Sequence, residues 1–384
     1  MTYANYQDEL YAQGRRGDAP QYPIALADLE EKASHMMTPK TWGYVAGGAG
    51  NEQTQRANIA AFERWGLYPR MLVAPEERDL SIDLFGTTFP SPIFIAPIGV
   101  YGPCAQDGHG DLHCAEASAR TGVPFFAGTL SADPMEDVVP LLGDTTGFFQ
   151  LYTPPDRDLA ASLVHRAEKA GLKGIAVTLD TWVTGWRPRD LRGAHYPQVP
   201  STCLTNYTGD PEFRKRLGPG DDAVETFIQD LPIFGGPFRW EDLEWLRAET
   251  DLPIMAKGIC HPDDARRVKD YGVDAVYCSN HGGRQANGGL TTLECLPGVV
   301  EAADGLPVLF DSGVRSGADV IKALALGASA VGIGRPIAYG LAIGGTAGVE
   351  HVLRMILAEA DLIMAVDGYP TIGDLTPEAL LRTG

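Results

Sequence analysis

The sequence predicts an α/β protein, a (β/α)8 TIM barrel with an N-terminal helical extension and a long insertion after the fourth strand. Three observations predict it. Eight short apolar runs recur along the chain, amphipathic helical stretches separate most of them, and successive runs start about 20 to 35 residues apart at every step but one. Strands alternating with helices imply right-handed βαβ units and a parallel sheet, which eight units can close into a barrel. A doubly wound open sheet is the second architecture that the pattern allows.

Residues 1–89 precede the first run and carry helical patterns in LADLEEKASHMM and NEQTQRANIAAFERW, so they read as a helical extension; residues 90–384 hold the barrel and its C-terminal helices. The runs are PIFIAPIG (92–99), VPFFAG (123–128), GFFQLY (147–152), GIAVTLD (174–180), LPIMAKG (252–258), DAVYCSN (274–280), LPVLFDSG (306–313) and SAVGIG (329–334). Their continuous apolar character is that of strands covered on both faces. DRDLAASLVHRAEKAG follows the third run and DDARRVKDYG the fifth, each closed by a glycine as a helix C-terminus is. The fourth and fifth runs start about 80 residues apart, more than a loop needs. The segment 185–239 is therefore an insertion, rich in Pro, Gly and polar residues. It follows the C-terminal end of a strand, where barrel active sites lie, and reads as a lid or partner-contacting excursion.

Composition narrows the function classes. The 384 residues, 44% hydrophobic and 21% charged, describe a folded globular chain long enough for one barrel plus extra segments. With 31 Lys+Arg against 50 Asp+Glu the net charge is −19, which repels nucleic-acid phosphates and anionic membrane surfaces, although a local cluster of cations can still take an anionic ligand. The six cysteines are dispersed with no CxxC pair, as reduced thiols of a cytoplasmic protein are. No secretory signal is visible at the N-terminus. The apolar stretch 330–349 contains Arg335, Pro336 and six glycines, which is wrong for a transmembrane helix. His109 and His113 have the i, i+4 spacing of zinc ligands but no HExxH core, so no metal site is expected.

The chemistry is carried by polar residues that end the apolar runs at one end of the predicted barrel: Gln150, Tyr152, Thr178, Asp180, Lys257, Ser279, His281 and Asp311. A single polar residue in a buried strand can be a satisfied core group, but a ring of them at the C-terminal face reads as a site. The last two runs end in DSGVRSG (311–317) and GIGRP (332–336). Glycine-exposed amides together with Arg315 and Arg335 make the phosphate pocket expected after strands seven and eight. No GxGxxG opens a helix after the first strand, which argues against a nicotinamide cofactor held in that way. In SNHGGRQ (279–285), His281 can move a proton near neutral pH and Arg284 can grip a carboxylate bidentately. Asp180 can orient the imidazole, and Arg187 can be a second substrate cation.

With these residues in place, the sequence resembles the FMN-dependent L-2-hydroxy acid oxidising family over nearly its whole length. The matching pieces are YVAGGAG (44–50), APIG (96–99), FQLY (149–152), TLDT (178–181), KG (257–258), SNHGGRQ, DSGVRSGADVIKALALGA (311–328) and GIGRP. Within the family it looks most similar to the lactate 2-monooxygenase group, through RWGLYPRML, CAQDGHGD, DTWVTGWRPRDL, CLTNY and EADLIMAVDGY.

The resemblance implies FMN as cofactor and His281 as base, with Asp180 stabilising its imidazolium. It implies that Arg187, Arg284 and Tyr44 bind the substrate carboxylate and that Tyr152 hydrogen-bonds its 2-hydroxyl. Lys257 would hold negative charge at the N1/O2 edge of the reduced flavin; Gln150, Thr178 and Ser279 would line the ring; and Pro97, Ile98 and Gly99 would present backbone to its N5 side. Asp311, Ser312, Gly313, Arg315, Gly334 and Arg335 would hold ribityl and phosphate. Two positions distinguish members. Gly99 is typically alanine in simple oxidases and glycine in the monooxygenase, and Gly128 stands where oxidases carry a hydroxyl residue.

The implied reaction is oxidation of an L-2-hydroxy acid, L-lactate first, with O2 as acceptor and decarboxylation to acetate, CO2 and water. The alternative is an oxidase or dehydrogenase of a bulkier acid or lactone, mandelate- or pantolactone-like, using O2, a quinone or a carrier. A third class is a flavin-binding scaffold without turnover. A homotetramer or homo-octamer is the assembly that the resemblance implies.

Overall fold

Eight strands are hydrogen-bonded edge to edge, all parallel: β1 (Ile93–Ile95), β2 (Phe125–Gly128), β3 (Gly147–Leu151), β4 (Ile175–Thr178), β5 (Ile254–Ile259), β6 (Ala275–Cys278), β7 (Val308–Phe310) and β8 (Ala330–Ile333). They form a closed barrel in chain order, with β8 returning to β1. Each predicted apolar run coincides with one strand, β5 reaching one residue past its run to Ile259, and the open-sheet alternative falls. The structure, a computed structural model, describes residues 2–73, 75–193, 203–218, 220, 222 and 237–383.

The barrel interior explains where the site sits. Alternate residues of a strand share a face, and one inner cluster joins Phe94, Phe126, Phe148, Met255, Tyr277 and Leu309. The Phe126 and Phe148 rings stack with centroids 4.8 Å apart, and Phe94 meets Tyr277 edge-on at 5.6 Å. Two residues further along, five of the eight columns turn polar: Phe148 gives way to Gln150, Ala176 to Thr178, Met255 to Lys257, Tyr277 to Ser279 and Leu309 to Asp311. The apolar layers thus form a dry floor under a polar upper layer.

The other end of the barrel is plugged by a hairpin, Ile82–Leu84 paired antiparallel with Thr87–Phe89, whose Leu84 and Phe89 join the inner cluster. A further strand, Trp65–Leu67, pairs antiparallel with Leu380–Arg382. The first 89 residues are therefore not wholly helical. Three-residue strands are too short to show a period, and the partner of Trp65–Leu67 lies at the far end of the chain.

Outside the barrel, the helix Arg157–Ala170 shows how the sequence sets its elements. The Asp156 side chain accepts from Leu159 N at 3.0 Å, Gly171 ends the helix at φ +109°, and Leu159, Leu163, Val164 and Ala167 form its buried face. Burial of each leucine contributes about 1.5–3 kcal/mol. No helix among the described residues is long and apolar enough to cross a membrane.

Part of the insertion is described. Its short helices Thr205–Thr208 and Pro211–Arg214 are docked against the barrel, with Cys203, Leu204, Tyr207 and Phe213 buried. The carboxylate of the fully buried Asp210 accepts from Ser162 Oγ and Arg166 Nη1, each at 2.9 Å. This middle portion is packed structure, not a solvated loop. The lid reading of residues 194–202 and 223–236 lies outside the described residues.

Candidate active site

The loops at the C-terminal end of the barrel enclose a cleft of about 860 Å³, counting its open mouth, lined among others by Tyr44, Gly99, Gln150, Tyr152, Lys257, His281, Arg284, Arg315 and Arg335. His281 stands just past β6 with φ +58°, a left-handed conformation that costs a non-glycine residue about 1–2 kcal/mol. Its neighbours impose it: His281 N donates to Ser279 Oγ at 3.1 Å, Gly282 N to Ser312 Oγ at 3.0 Å and Gly283 N to Asn280 Oδ1 at 3.1 Å. The Nδ1 atom lies 2.9 Å from Asp180 Oδ1, and Thr181 Oγ1 touches both groups. Burial holds the imidazole below its ordinary value, against the pull of Asp180. Burial pushes Asp180 the other way, but Lys257 and the imidazole, which is charged in the acid range where the carboxyl titrates, outweigh it and bring the carboxyl to about 2. The resting pair is a neutral imidazole beside a carboxylate, which is the state a general base requires.

Asp311 organises the second half of the polar layer. It accepts from Ser279 Oγ at 2.6 Å, Ser312 Oγ at 2.8 Å and Tyr277 OH at 2.9 Å. Lys257 Nζ donates to Ser279 Oγ at 3.0 Å and lies 3.8 Å from Asp311 Oδ2, while Gln150 Nε2 donates to Thr178 Oγ1 at 2.8 Å. A buried ammonium is thereby kept paired and aimed into the cleft.

The N-terminal extension completes the site. The helix Pro39–Ala46 brings Tyr44 over the mouth, and the Arg284 guanidinium stacks on its ring at 4.1 Å. Arg284 Nη1 donates to the carbonyls of Tyr44 and Gly47, while its buried Nη2 has no hydrogen-bond partner among the described residues; the nearest carboxylate, Asp190, is 3.9 Å away. That orphaned donor is what a substrate carboxylate would satisfy. Arg187 is buried but does not line the cleft; it donates to Arg284 O at 3.1 Å and Gln285 Oε1 at 2.5 Å.

At the phosphate end the structure refines the sequence reading. Arg335 is buried, lines the cleft and gives three of its five N–H donors to the carbonyls of Val45 (2.8 Å), Gly47 (2.8 Å) and Gly282 (3.2 Å); burial and the neighbouring Arg315 lower it to about 9. It ties the extension to the barrel as much as it faces a ligand. The open donors are elsewhere: Gly334 starts the helix Arg335–Asp367 with no side-chain cap, and a Cβ there would meet nothing within 4 Å. Gly313, at φ +99°, passes so close to the extension that a Cβ would lie 2.4 Å from Asn58 O. An uncapped helix N-terminus, the Arg315 cation, the buried Lys257 and a glycine-lined wall at Gly99 are the donor set and space that FMN requires, so the residues present fit it.

Pro97, Ile98, Thr178, Asp311 and Ser312 also line the cleft, whereas Gly128 and Ser279 do not: the Gly128 carbonyl faces Asn206, and Ser279 stands behind Lys257. Sequence reasoning missed Thr181, Tyr277, Gln285, Thr129 and Asn206. Tyr277 was readable as the inward residue two before Ser279; Thr181, Gln285 and Asn206 lie within TLDT, SNHGGRQ and CLTNY but had no role there, and Thr129 lies outside those motifs, because only the folded chain supplies their partners. Among the described residues no group of three or more His, Cys, Asp or Glu is placed to hold a metal ion. His109 pairs with Asp133 at 2.6 Å and His113 with Asp107 at 3.0 Å.

A closed parallel barrel that offers a phosphate end, a buried cation and a base at one mouth defines the class as flavin-dependent barrel oxidoreductases. The profile of the FMN-dependent dehydrogenase family matches residues 33–382. The L-lactate oxidase of Lysinibacillus sphaericus is 39% identical over 94% of this chain and 93% of its own. Human 2-hydroxyacid oxidase 1 is 38% identical, over 91% of this chain and 94% of its own. The crystal structure of a soluble mutant of the membrane-associated (S)-mandelate dehydrogenase from Pseudomonas putida matches with a TM-score of 0.85 at 34% identity, covering 94% of this chain and 99% of the other. The chain belongs to the FMN-dependent dehydrogenase family and is an FMN-dependent 2-hydroxy acid oxidoreductase.

Proposed function

We propose that the protein oxidises L-lactate with O2 and retains the products long enough for pyruvate and peroxide to react, so that L-lactate and O2 leave as acetate, CO2 and water. The observation that carries the oxidation is His281 held by Asp180 on a cleft that also presents the orphaned Arg284 donor. Two features support the finer reading: relatives named L-lactate oxidase, and a glycine, with no side chain, on the cleft wall at position 99.

In this reading Arg284 takes the substrate carboxylate with Tyr44 beside it. Arg187 acts through the carbonyl of Arg284 and through its own charge. Tyr152 hydrogen-bonds the 2-hydroxyl, and burial, which keeps its phenol protonated, suits it to that role. His281 accepts the substrate proton at Nε2, and the Asp180 carboxylate stabilises the imidazolium that results. FMN, when bound, supplies the two-electron acceptor. Lys257 places positive charge where the cofactor gains electrons; Gln150, Thr178, Pro97, Ile98 and Gly99 wall its ring, and Asp311, Ser312, Gly313, Arg315, Gly334 and Arg335 hold its polar tail.

Product analysis during aerobic turnover of L-lactate tests the proposal. Acetate with little free peroxide is expected, and stoichiometric pyruvate and peroxide would overturn it. The mandelate dehydrogenase match supports a second reading, oxidation of a bulkier 2-hydroxy acid or lactone with a quinone or carrier as acceptor. Slow reaction with O2 together with rapid dye reduction would favour that reading. A homotetramer or octamer in the cytoplasm, without nucleic-acid partners, is the setting we propose, and light scattering checks the assembly.

A further inference from the structure

Strand β2 ends at Gly128, in register with the cleft-lining Gln150 and short of Tyr152. Thr129 supplies the next rung with its side chain. Its hydroxyl donates to Gln150 O at 2.6 Å and accepts from Tyr152 N at 2.9 Å, and its own N–H donates to Gln150 Oε1 at 3.4 Å. Tyr152 lies just past the last residue of β3, so this hydroxyl anchors its backbone where the ladder gives out.

Thr129 is held in turn from the insertion. Asn206 Nδ2 donates to Gly128 O at 3.1 Å and Thr129 O at 3.2 Å, and its Oδ1 accepts from Met135 N at 3.0 Å. Thr205 adds two bonds to Ser131 O, from its backbone N at 3.3 Å and its hydroxyl at 2.8 Å. Thr129 and Asn206 are both buried, and neither lines the cleft. In a dry interior a fully satisfied network of this kind has one geometry, because any displacement leaves carbonyls and amides unpaired.

We propose that Thr129 is a positioning residue for Tyr152, locked by Asn206, so that the insertion acts on the reaction from behind β2. The inference rests on reading Tyr152 as the group that meets the substrate's 2-hydroxyl. Its consequence is that loss of the Thr129 hydroxyl matters to turnover only while the Tyr152 hydroxyl is there to be placed.

The test is a double-mutant cycle on the FMN-loaded enzyme, reading anaerobic flavin bleaching by L-lactate, with thermal unfolding of the same samples. Thr129→Val is expected to slow bleaching about tenfold in the parent and less than about threefold in Tyr152→Phe. Thr129→Ser, which keeps the hydroxyl, should stay within about threefold of the parent. Asn206→Asp, which sets a carboxylate oxygen against two carbonyls, should repeat the dependence on Tyr152 in weaker form. The thermal midpoint should fall equally in both backgrounds. Equal slowing by Thr129→Val in both backgrounds, or none in the parent, overturns the inference alone. A Tyr152→Phe enzyme that bleaches at the parental rate overturns the assignment of Tyr152 and the inference with it.

Discussion

Asp180 Oδ1 stands 2.9 Å from His281 Nδ1, and the Thr181 hydroxyl lies 2.8 Å from the first and 3.1 Å from the second. With Nδ1 tied to the carboxylate, Nε2 is the nitrogen left to accept a proton. Asp180 Oδ2 is buried without a hydrogen-bond partner among the described residues, so the carboxylate leans on the imidazole and on Lys257 for its stability.

Asp180→Asn removes the charge and keeps the shape. The imidazolium then loses its counter-ion, and we expect the rate of anaerobic flavin bleaching to fall about 10²–10⁴-fold with FMN retained. A fall of less than threefold in stopped-flow measurement would show that Asp180 only shapes the site.

His281 must be neutral to act, and burial holds it below its ordinary value of about 6.5. The acidic limb of activity should therefore have its midpoint below 6.5, as the imidazole takes up a proton. A profile of kcat/KM against pH, which reports the free enzyme, checks this; an acidic limb centred above 6.5 contradicts it.

Gly99 has room for a methyl group only if Leu130 gives way, since a Cβ would lie 3.3 Å from Leu130 Cβ and 3.5 Å from its carbonyl oxygen. Gly99→Ala should cost about 1–2 kcal/mol of stability. It should also divert L-lactate turnover toward free pyruvate and peroxide. An unchanged acetate yield in a folded, FMN-loaded variant would detach product retention from this position.

Gly313 has φ +99°, and a Cβ there would lie 2.4 Å from Asn58 O. Gly313→Ala should therefore cost about 3 kcal/mol or more, and should loosen the N-terminal extension from the barrel. We expect FMN release and a lowered thermal midpoint together, with hydrogen exchange rising first around Asn58. A fully stable variant would show that the extension adapts.

Asp111 is fully buried, accepts from Ala132 N at 3.3 Å, and is raised by burial to about 7. The native state then binds a proton that the unfolded chain has released above about pH 4, so its contribution to stability is full below that pH and is lost as pH rises through 7, at about 1.4 kcal/mol per pH unit. Asp111→Asn should gain on the parent across that window in denaturant melts. Parallel stability curves would place Asp111 in its ordinary range.

The barrel was legible because its strands are continuous apolar runs with helices between them, and the histidine proposed as base was legible because SNHGGRQ follows one such run. The hairpin Ile82–Leu84/Thr87–Phe89 was not, since short strands have no readable period and its apolar residues match a core found only at the barrel floor. Arg335 shows the same limit within the site. Its position after β8 read as a phosphate contact, but its donors meet the carbonyls of Val45 and Gly47, distant in sequence, and no pattern could announce that.

The sequence by itself determined the barrel and the end at which its polar residues gather, and it named the residues proposed to move the proton and bind the carboxylate, because hydrophobic periodicity and residue chemistry are local properties. Only the tertiary structure decided which donors stay open and which are spent, that Tyr44 and Arg284 form one stacked unit, and that the docked part of the insertion reaches the site through Asn206 and Thr129. Those outcomes depend on distances between segments far apart in the chain, and a buried polar group takes its role from whatever partner the fold brings to it.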